Sequence, residues 1–264
     1  MLKAVIPQFE IEPAEIEIEI NGLSKVYETK NSTFRALENV SLYVKNEEFV
    51  SILGPSGCGK STILRILAGL EDQTAGSVKV AGEEVNGPSA KRGMVFQSYT
   101  LFPWLTVREN IEFGLKLKGV NRKERKETSD KYLELVGLEM FANSYGKELS
   151  GGMKQRVAIA RSLANNPEVL LMDEPFGALD AQTKQSMQQL LLDIWKKEKS
   201  TIVFITHDID EALFLSQRIY VMEARPGRIL EEINADLHLF KDGELVDVDR
   251  FMKVKKHIIS LLKH

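Results

Sequence analysis

The chain has 264 residues, of which 35 are Lys or Arg and 38 are Asp or Glu, for a formal charge of −3; this suits one large domain, with or without an inserted subdomain, and lacks the basic footprint of a non-specific nucleic-acid binder. The single cysteine, Cys58, excludes an internal disulfide framework and fits a reducing compartment. No apolar run approaches the roughly 20 residues that span a bilayer, and the N-terminus, interrupted by Pro7, has no full apolar signal core, so the chain is expected to be soluble and cytosolic, with any membrane role supplied by a partner.

Residues 1–14 read as a loose tail, the first of three divisions of the chain. Ile16, Ile18 and Ile20 then alternate with Glu15, Glu17 and Glu19, the period of a half-exposed strand. A second strand is expected over residues 36–44, so the front of the chain looks antiparallel. Residues 49–53, Phe-Val-Ser-Ile-Leu, form a buried strand that runs into Gly54-Pro-Ser-Gly-Cys-Gly-Lys-Ser-Thr62. A helix carrying Ile63, Leu64, Ile66 and Leu67 follows and stops at Gly69. Short strands are expected over residues 76–82 and 94–96, the latter ending at Gln97. From about residue 99 to 165 the pattern is helical, with helices over residues 107–117, 122–136 and about 153–164, and this stretch reads as an inserted subdomain. Val169-Leu-Leu-Met172 is a strand buried on both faces that delivers Asp173 and Glu174. Met187, Leu190, Leu191, Ile194 and Trp195 mark one face of the next helix. Residues 201–205 form another buried strand delivering His207, and a helix, a strand over residues 219–222 and a turn at Pro226-Gly227 complete the domain near residue 230. In the remaining tail, Asp242-Gly243 suggests a hairpin turn, and Phe251, Val254, Ile258 and Leu262 an amphipathic helix packed on its own domain.

The stretch from Gly54 fits the phosphate-binding template G-x-x-x-x-G-K-[ST], set as it requires between a strand and a helix. Its glycines let successive N–H groups face an anion, and the helix adds the positive end of its dipole. Lys60 is expected to reach the β- and γ-phosphates, and the Ser61 hydroxyl to ligate Mg²⁺. Asp173, after an apolar strand, suits the metal shell, which leaves Glu174 to orient or deprotonate a water. A lone histidine is by default a satisfied turn residue, but His207 follows a strand end and precedes Asp208, which favours a functional role. Gln97 carries a weaker signal of the same kind. Gly54, Gln97, Asp173, Glu174 and His207 all lie past the carboxyl ends of strands, which in a parallel sheet share the ligand-binding edge. Ser150-Gly-Gly152 opens a helix and makes a second anion cradle. One nucleotide does not ordinarily need two, so the second is expected to serve a nucleotide held by another subunit. Cys58 leaves two readings open: a thiolate activated by the helix N-terminus and Lys60, or an inert filler pointing inward.

This order of motifs resembles the ATP-binding cassette (ABC) ATPases over about residues 16–230. The resemblance implies an α/β fold: a P-loop NTPase core with a mixed, mainly parallel sheet, an N-terminal antiparallel β portion and an inserted helical subdomain. It implies ATP and Mg²⁺ as ligands. Gly54, Pro55, Ser56, Gly57, Cys58, Gly59, Lys60, Ser61 and Thr62 look like the family's phosphate loop, and Gln97 like the Q-loop glutamine, with a place at the metal and in catalysis. Ser150, Gly151 and Gly152 match the signature, Asp173 and Glu174 the second nucleotide motif, Asp180 the D-loop and His207 the switch histidine. Tyr27, which by itself reads as a packed strand aromatic, matches the adenine-stacking residue. A head-to-tail dimer follows, each ATP lying between one subunit's phosphate loop and the other's signature. Leu101-Phe-Pro-Trp-Leu-Thr-Val-Arg-Glu-Asn110, the signature ending in Met153, and Ala224-Arg-Pro-Gly-Arg-Ile229 look like the nitrate/sulfonate/taurine/bicarbonate importers. That likeness implies a membrane permease, contacted by residues 97–115, an extracytoplasmic solute-binding protein, and a peripheral place on the cytoplasmic face of the inner membrane. An ABC exporter or lipid-extraction ATPase remains an alternative. A soluble ABC ATPase of repair or translation is less favoured, because the chain has no long heptad run and a single phosphate loop.

Overall fold

The computed structural model describes residues 15–29, 32–235, 240–241 and 244–263; the N-terminal tail and the turn residues Asp242 and Gly243 lie outside the described residues. The chain opens with two long strands, β1 (Ile16–Thr29) and β2 (Ser32–Lys45), followed by β3 (Phe49–Leu53), α1 (Lys60–Leu67), β4 (Ala75–Val80), the two-residue β5 (Glu83–Glu84) and β6 (Arg92–Val95). The helical portion holds α2 (Val107–Leu117), α3 (Arg122–Val136) and α4 (Gly151–Leu163). Then come β7 (Val169–Asp173), α5 (Ala181–Glu198), β8 (Thr201–Thr206), α6 (Ile209–Leu215), β9 (Arg218–Glu223), β10 (Arg228–Asn234), the short strands β11 (Phe240–Lys241) and β12 (Glu244–Leu245), and α7 (Val248–Leu261).

Two sheets organise these elements. The smaller is antiparallel, in the order β2-β1-β4-β5, and the larger runs β10-β9-β3-β8-β7-β6. In the larger sheet every pairing from β9 to β6 is parallel, and only the edge strand β10 is antiparallel. The fold class expected from the sequence is therefore the one observed. The central strands β7 and β8 carry the unbroken apolar runs Val-Leu-Leu-Met and Ile-Val-Phe-Ile because both of their faces are covered. In β8, Ile202 and Phe204 face the cluster beneath α4 and α5, while Val203 and Ile205 face the cluster around α1 and the smaller sheet. In β7, Leu170 and Met172 take the first direction, Val169 and Leu171 the second, as the two-residue period of a strand requires.

The helix boundaries have local causes. Thr106 caps α2 in a reciprocal box with Glu109, and Asn121 caps α3, which ends at Gly137 in the left-handed region. Ser150, Asp180 and Asp208 each place a side-chain oxygen on backbone N–H groups at the starts of α4, α5 and α6. The amphipathic helix anticipated near the C-terminus is α7. It buries Phe251 and Ile258 against Ala212 and Leu213 of α6 and Ile233 of β10. β11 and β12 pair antiparallel on either side of the anticipated turn. β10 was not anticipated, and it runs across position 230, pairing with β9 from Arg228↔Glu223 to Asn234↔Arg218.

Candidate functional site

The phosphate loop leaves β3 at Leu53 and enters α1 at Lys60, with Gly59 at φ +95° as the residue before the helix. Gly59 is required twice over. Its backbone is left-handed, and a Cβ there would stand 2.4 Å from Leu37 Cδ2 and 3.2 Å from the Ala36 carbonyl oxygen. The loop is thus pressed against β2 from one side while its other side borders a cavity of about 440 Å³. Tyr27, Phe34, Lys60, Ser61, Thr62, Gln97, Asp173 and Glu174 are among the residues lining it. Residues separated by more than a hundred positions meet here because β3 and β7 are both parallel partners of β8, so their carboxyl ends share one edge.

Lys60 is 5% exposed, and its ammonium donates to the carbonyls of Gly54 (2.8 Å) and Pro55 (3.1 Å), 3.7 Å from Glu174 Oε1. The Ser61 hydroxyl donates to Asp173 Oδ1 at 2.9 Å. Burial pushes the Asp173 carboxyl above the usual carboxylate range, with the Ser61 hydrogen bond as a partial offset. Glu174 occupies the left-handed region at φ +42°, a conformation uncommon outside glycine. Its Oε2 lies 3.0 Å from His207 Nδ1, so the carboxylate sits between Lys60 on one side and the imidazole on the other.

Also lining the cavity, the Tyr27 hydroxyl meets Thr62 Oγ1 at 3.4 Å, and the Lys25 ammonium stands 5.0 Å from the Tyr27 ring centre. Phe34 faces Tyr27 in the β1–β2 register and is 52% exposed, and Ala36 lies beside it on the cavity wall. Neither was singled out from the sequence, where the strand was expected to begin only at residue 36. The available signal was the apolar, strand-prone Phe34, seven positions after Tyr27 and flanked by polar residues.

Several expected site residues lie elsewhere. Ser150, Gly151, Gly152 and Asp180 do not border this cavity. Ser150 caps α4, and the α4 N-terminus packs on the start of α5, where a Cβ on Gly152 would come within 2.6 Å of Thr183 Cγ2. His207 reaches the site through Glu174, and Pro55 contributes its carbonyl to Lys60. Cys58 is fully buried among the residues around α1, and burial raises its thiol pKa against the opposing Lys60 ammonium, 4.0 Å from Sγ. Of its two readings the structure therefore selects the inert filler.

Residues 37–177 match the family described as ABC transporter. The nitrate import ATP-binding protein NrtD of Synechocystis sp. is 54% identical over 241 residues, spanning 91% of this chain and 90% of that protein. The aliphatic sulfonates import ATP-binding protein SsuB of Bacillus cereus is 49% identical over 220 residues, spanning 83% of this chain and 86% of that one. Among solved structures, a dimeric ATP-binding cassette in a post-hydrolysis state, bound to ADP and Pi, superimposes with a TM-score of 0.72 at 38% identity. The match covers 83% of this chain and 98% of the cassette.

Proposed function

This chain belongs to the ABC transporter family and is an ATPase subunit of it, and on that premise we propose that it powers import of a small anionic solute through a membrane permease. The observation that carries the chemistry is the convergence of Lys60, the Ser61–Asp173 pair and the Glu174–His207 pair on one cavity beside the phosphate loop.

The nucleotide is ATP, with Mg²⁺ as its ion. Ser61 and Asp173 fit that ion: they present hard oxygen donors 2.9 Å apart, and the Asp173 carboxyl carries a burial penalty that a cation would relieve. Ser61 and Asp173 would hold it, with the Gln97 side chain as a further oxygen donor, and Mg²⁺ when bound neutralises charge on the phosphates. The loop N–H groups and the α1 N-terminus receive the phosphate oxygens. Lys60 exchanges the carbonyls of Gly54 and Pro55 for the β- and γ-phosphates. Glu174 takes the proton of a water that attacks the γ-phosphorus, as the bond to the β-phosphate bridging oxygen breaks to give ADP and phosphate. His207 holds the Glu174 carboxylate in position for that transfer. Tyr27 and Phe34 present aromatic rings to the adenine.

The second cradle, Ser150-Gly151-Gly152, lies away from this chain's own cavity and supports a head-to-tail dimer in which it caps the ATP of the partner copy, with Asp180 at the same interface. For the permease, the surface around α2 offers exposed apolar side chains. Trp104 is 68% exposed and Leu117 is 74% exposed. Asn110, itself buried, grips the 102–106 loop by accepting from the Phe102 N–H and donating to the carbonyls of Phe102, Leu105 and Thr106. No helix among the described residues is long and apolar enough to cross a membrane, so we place the chain peripherally on the cytoplasmic face, held by the permease. The import direction and the anionic class rest on the likeness to the nitrate and sulfonate import proteins. The test is to purify the chain with its membrane partner and measure ATPase activity in proteoliposomes with the extracytoplasmic binding protein and candidate oxyanions. Stimulation by a loaded binding protein supports an importer; stimulation by a cytoplasmic-side substrate, with no binding-protein effect, refutes it.

A further inference from the structure

Glu211, in the first turn of α6, is 5% exposed, and a carboxylate at that depth needs compensation. It receives it from two other elements. The Lys184 ammonium, on α5, lies 3.3 Å from Glu211 Oε1 and 2.7 Å from Asp208 Oδ2. Gln188, one turn further along α5, donates to Glu211 Oε1 at 3.2 Å, and the Thr206 hydroxyl at the end of β8 donates to Oε2. The backbone N–H of Asp208 donates back to Thr206 Oγ1 at 2.9 Å, while Asp208 Oδ1 accepts from the N–H groups of Asp210 and Glu211. The cluster therefore grips the chain on both sides of His207. The imidazole itself is 58% exposed and meets Glu174 at its Nδ1, so its direction is set chiefly by the backbone that carries it. α5, which supplies Lys184, is capped one turn earlier by Asp180.

We propose that Lys184 and Glu211 are positioning residues for His207: their ion pair ties the helix that opens at Asp180 to the backbone flanking His207 and so sets the imidazole against Glu174. The charges are well held. Burial works against the Asp208 carboxylate, yet the Lys184 ammonium and backbone N–H groups keep it below its usual range, and the Lys184 ammonium is correspondingly strengthened despite its own burial. The inference rests on the reading of Glu174 and His207 as the hydrolytic pair.

A buried ion pair that only stabilises packing can be exchanged for neutral side chains with its loss recovered, whereas breaking one partner alone is costly. This separates positioning from packing. In the full-length chain, Lys184→Met strands the Glu211 carboxylate, and kcat for ATP is expected to fall about 10–100-fold with KM unchanged, the scale of a small misplacement in a catalytic constellation. Lys184→Arg keeps the charge and is expected to restore kcat to within about threefold of wild type. The double variant Lys184→Met/Glu211→Gln removes the buried charge stranded at Glu211, while the more exposed Asp208 keeps its backbone N–H donors, and it is expected to regain most of the melting temperature but not the turnover. Turnover that returns together with stability in the double variant overturns the proposal, as does wild-type kcat in Lys184→Met or a loss carried by KM. If Lys184→Met does not fold, the double variant and Lys184→Arg still decide. Glu174→Gln assayed in parallel keeps the two claims apart: normal turnover there removes the hydrolytic pair itself, whatever Lys184 does.

Discussion

Gly227 lies in the Ala224-Arg-Pro-Gly-Arg-Ile229 stretch and joins three segments. Its N–H donates to the Ala36 carbonyl at 2.9 Å, and its own carbonyl accepts from the Glu38 N–H at 3.0 Å. A Cβ at this position would stand 2.0 Å from the Cys58 carbonyl oxygen and 2.9 Å from that of Ala36. A relaxed carbon–oxygen contact is about 3.3 Å, so Gly227→Ala must open roughly 1.3 Å between two stretches of backbone. No side chain can rotate away to provide it. If the 224–227 loop lifts, the two hydrogen bonds to β2 are strained, at about 0.5–1.5 kcal/mol each. If the phosphate loop gives instead, the strain of overpacking is about 1–3 kcal/mol and falls on the site itself. Either way the destabilisation should be about 1–3 kcal/mol, a drop of roughly 2–12 °C in melting temperature for a chain of this size. Because Cys58 is part of the phosphate loop, ATP should also protect the variant less against unfolding, and turnover should fall about 100-fold if the loop moves by an ångström. Urea titrations followed by tryptophan fluorescence, with and without MgATP, and steady-state ATPase assays read these quantities. A variant with wild-type midpoint, nucleotide protection and turnover would refute the argument that Gly227 is needed for this close approach.

Glu174→Gln keeps the shape of the side chain between Lys60 and His207 but removes the proton acceptor. ATP binding should survive while turnover falls about 10²–10⁴-fold, and light scattering should show an ATP-held dimer; near-normal turnover would exclude Glu174 as the base. The second cradle is better tested at Ser150 than at Gly152, since any side chain at Gly152 meets Thr183 within the same chain. Ser150→Arg should lose its cap at a cost of about 1 kcal/mol, bind ATP as a monomer and fail to dimerise or hydrolyse; lost ATP binding in the monomer would contradict a shared site. Cys58 should resist a maleimide in the native chain and label only on unfolding, as read by intact mass, because the thiol is buried. Cys58→Ser should change stability by no more than about 1 kcal/mol, because the Lys60 ammonium beside Sγ gives a hydroxyl a polar partner, and rapid native labelling of Cys58 would show the thiol to be accessible.

What could be read along the chain was whatever a short window encodes. The phosphate loop, the strands that carry Asp173 and His207, and the spans of α2 and α3 follow from spacing, caps and unbroken apolar runs, all set by neighbours within a few residues. β10 escaped because it is an edge strand with one face exposed: Arg228, Glu231, Glu232 and Asn234 interrupt its apolar residues, and only pairing with β9 defines it. Phe34 acquires meaning from its register opposite Tyr27, and the inward direction of Cys58 from the packing of the loop against β2 and β9. Lys60 near Glu174, and Lys184 near Glu211, are contacts across 114 and 27 positions, counted from their residue numbers. No local periodicity encodes such distances. The local pattern decided which segments become strands and helices, while the order in which the parallel strands assemble decided which side chains share an edge.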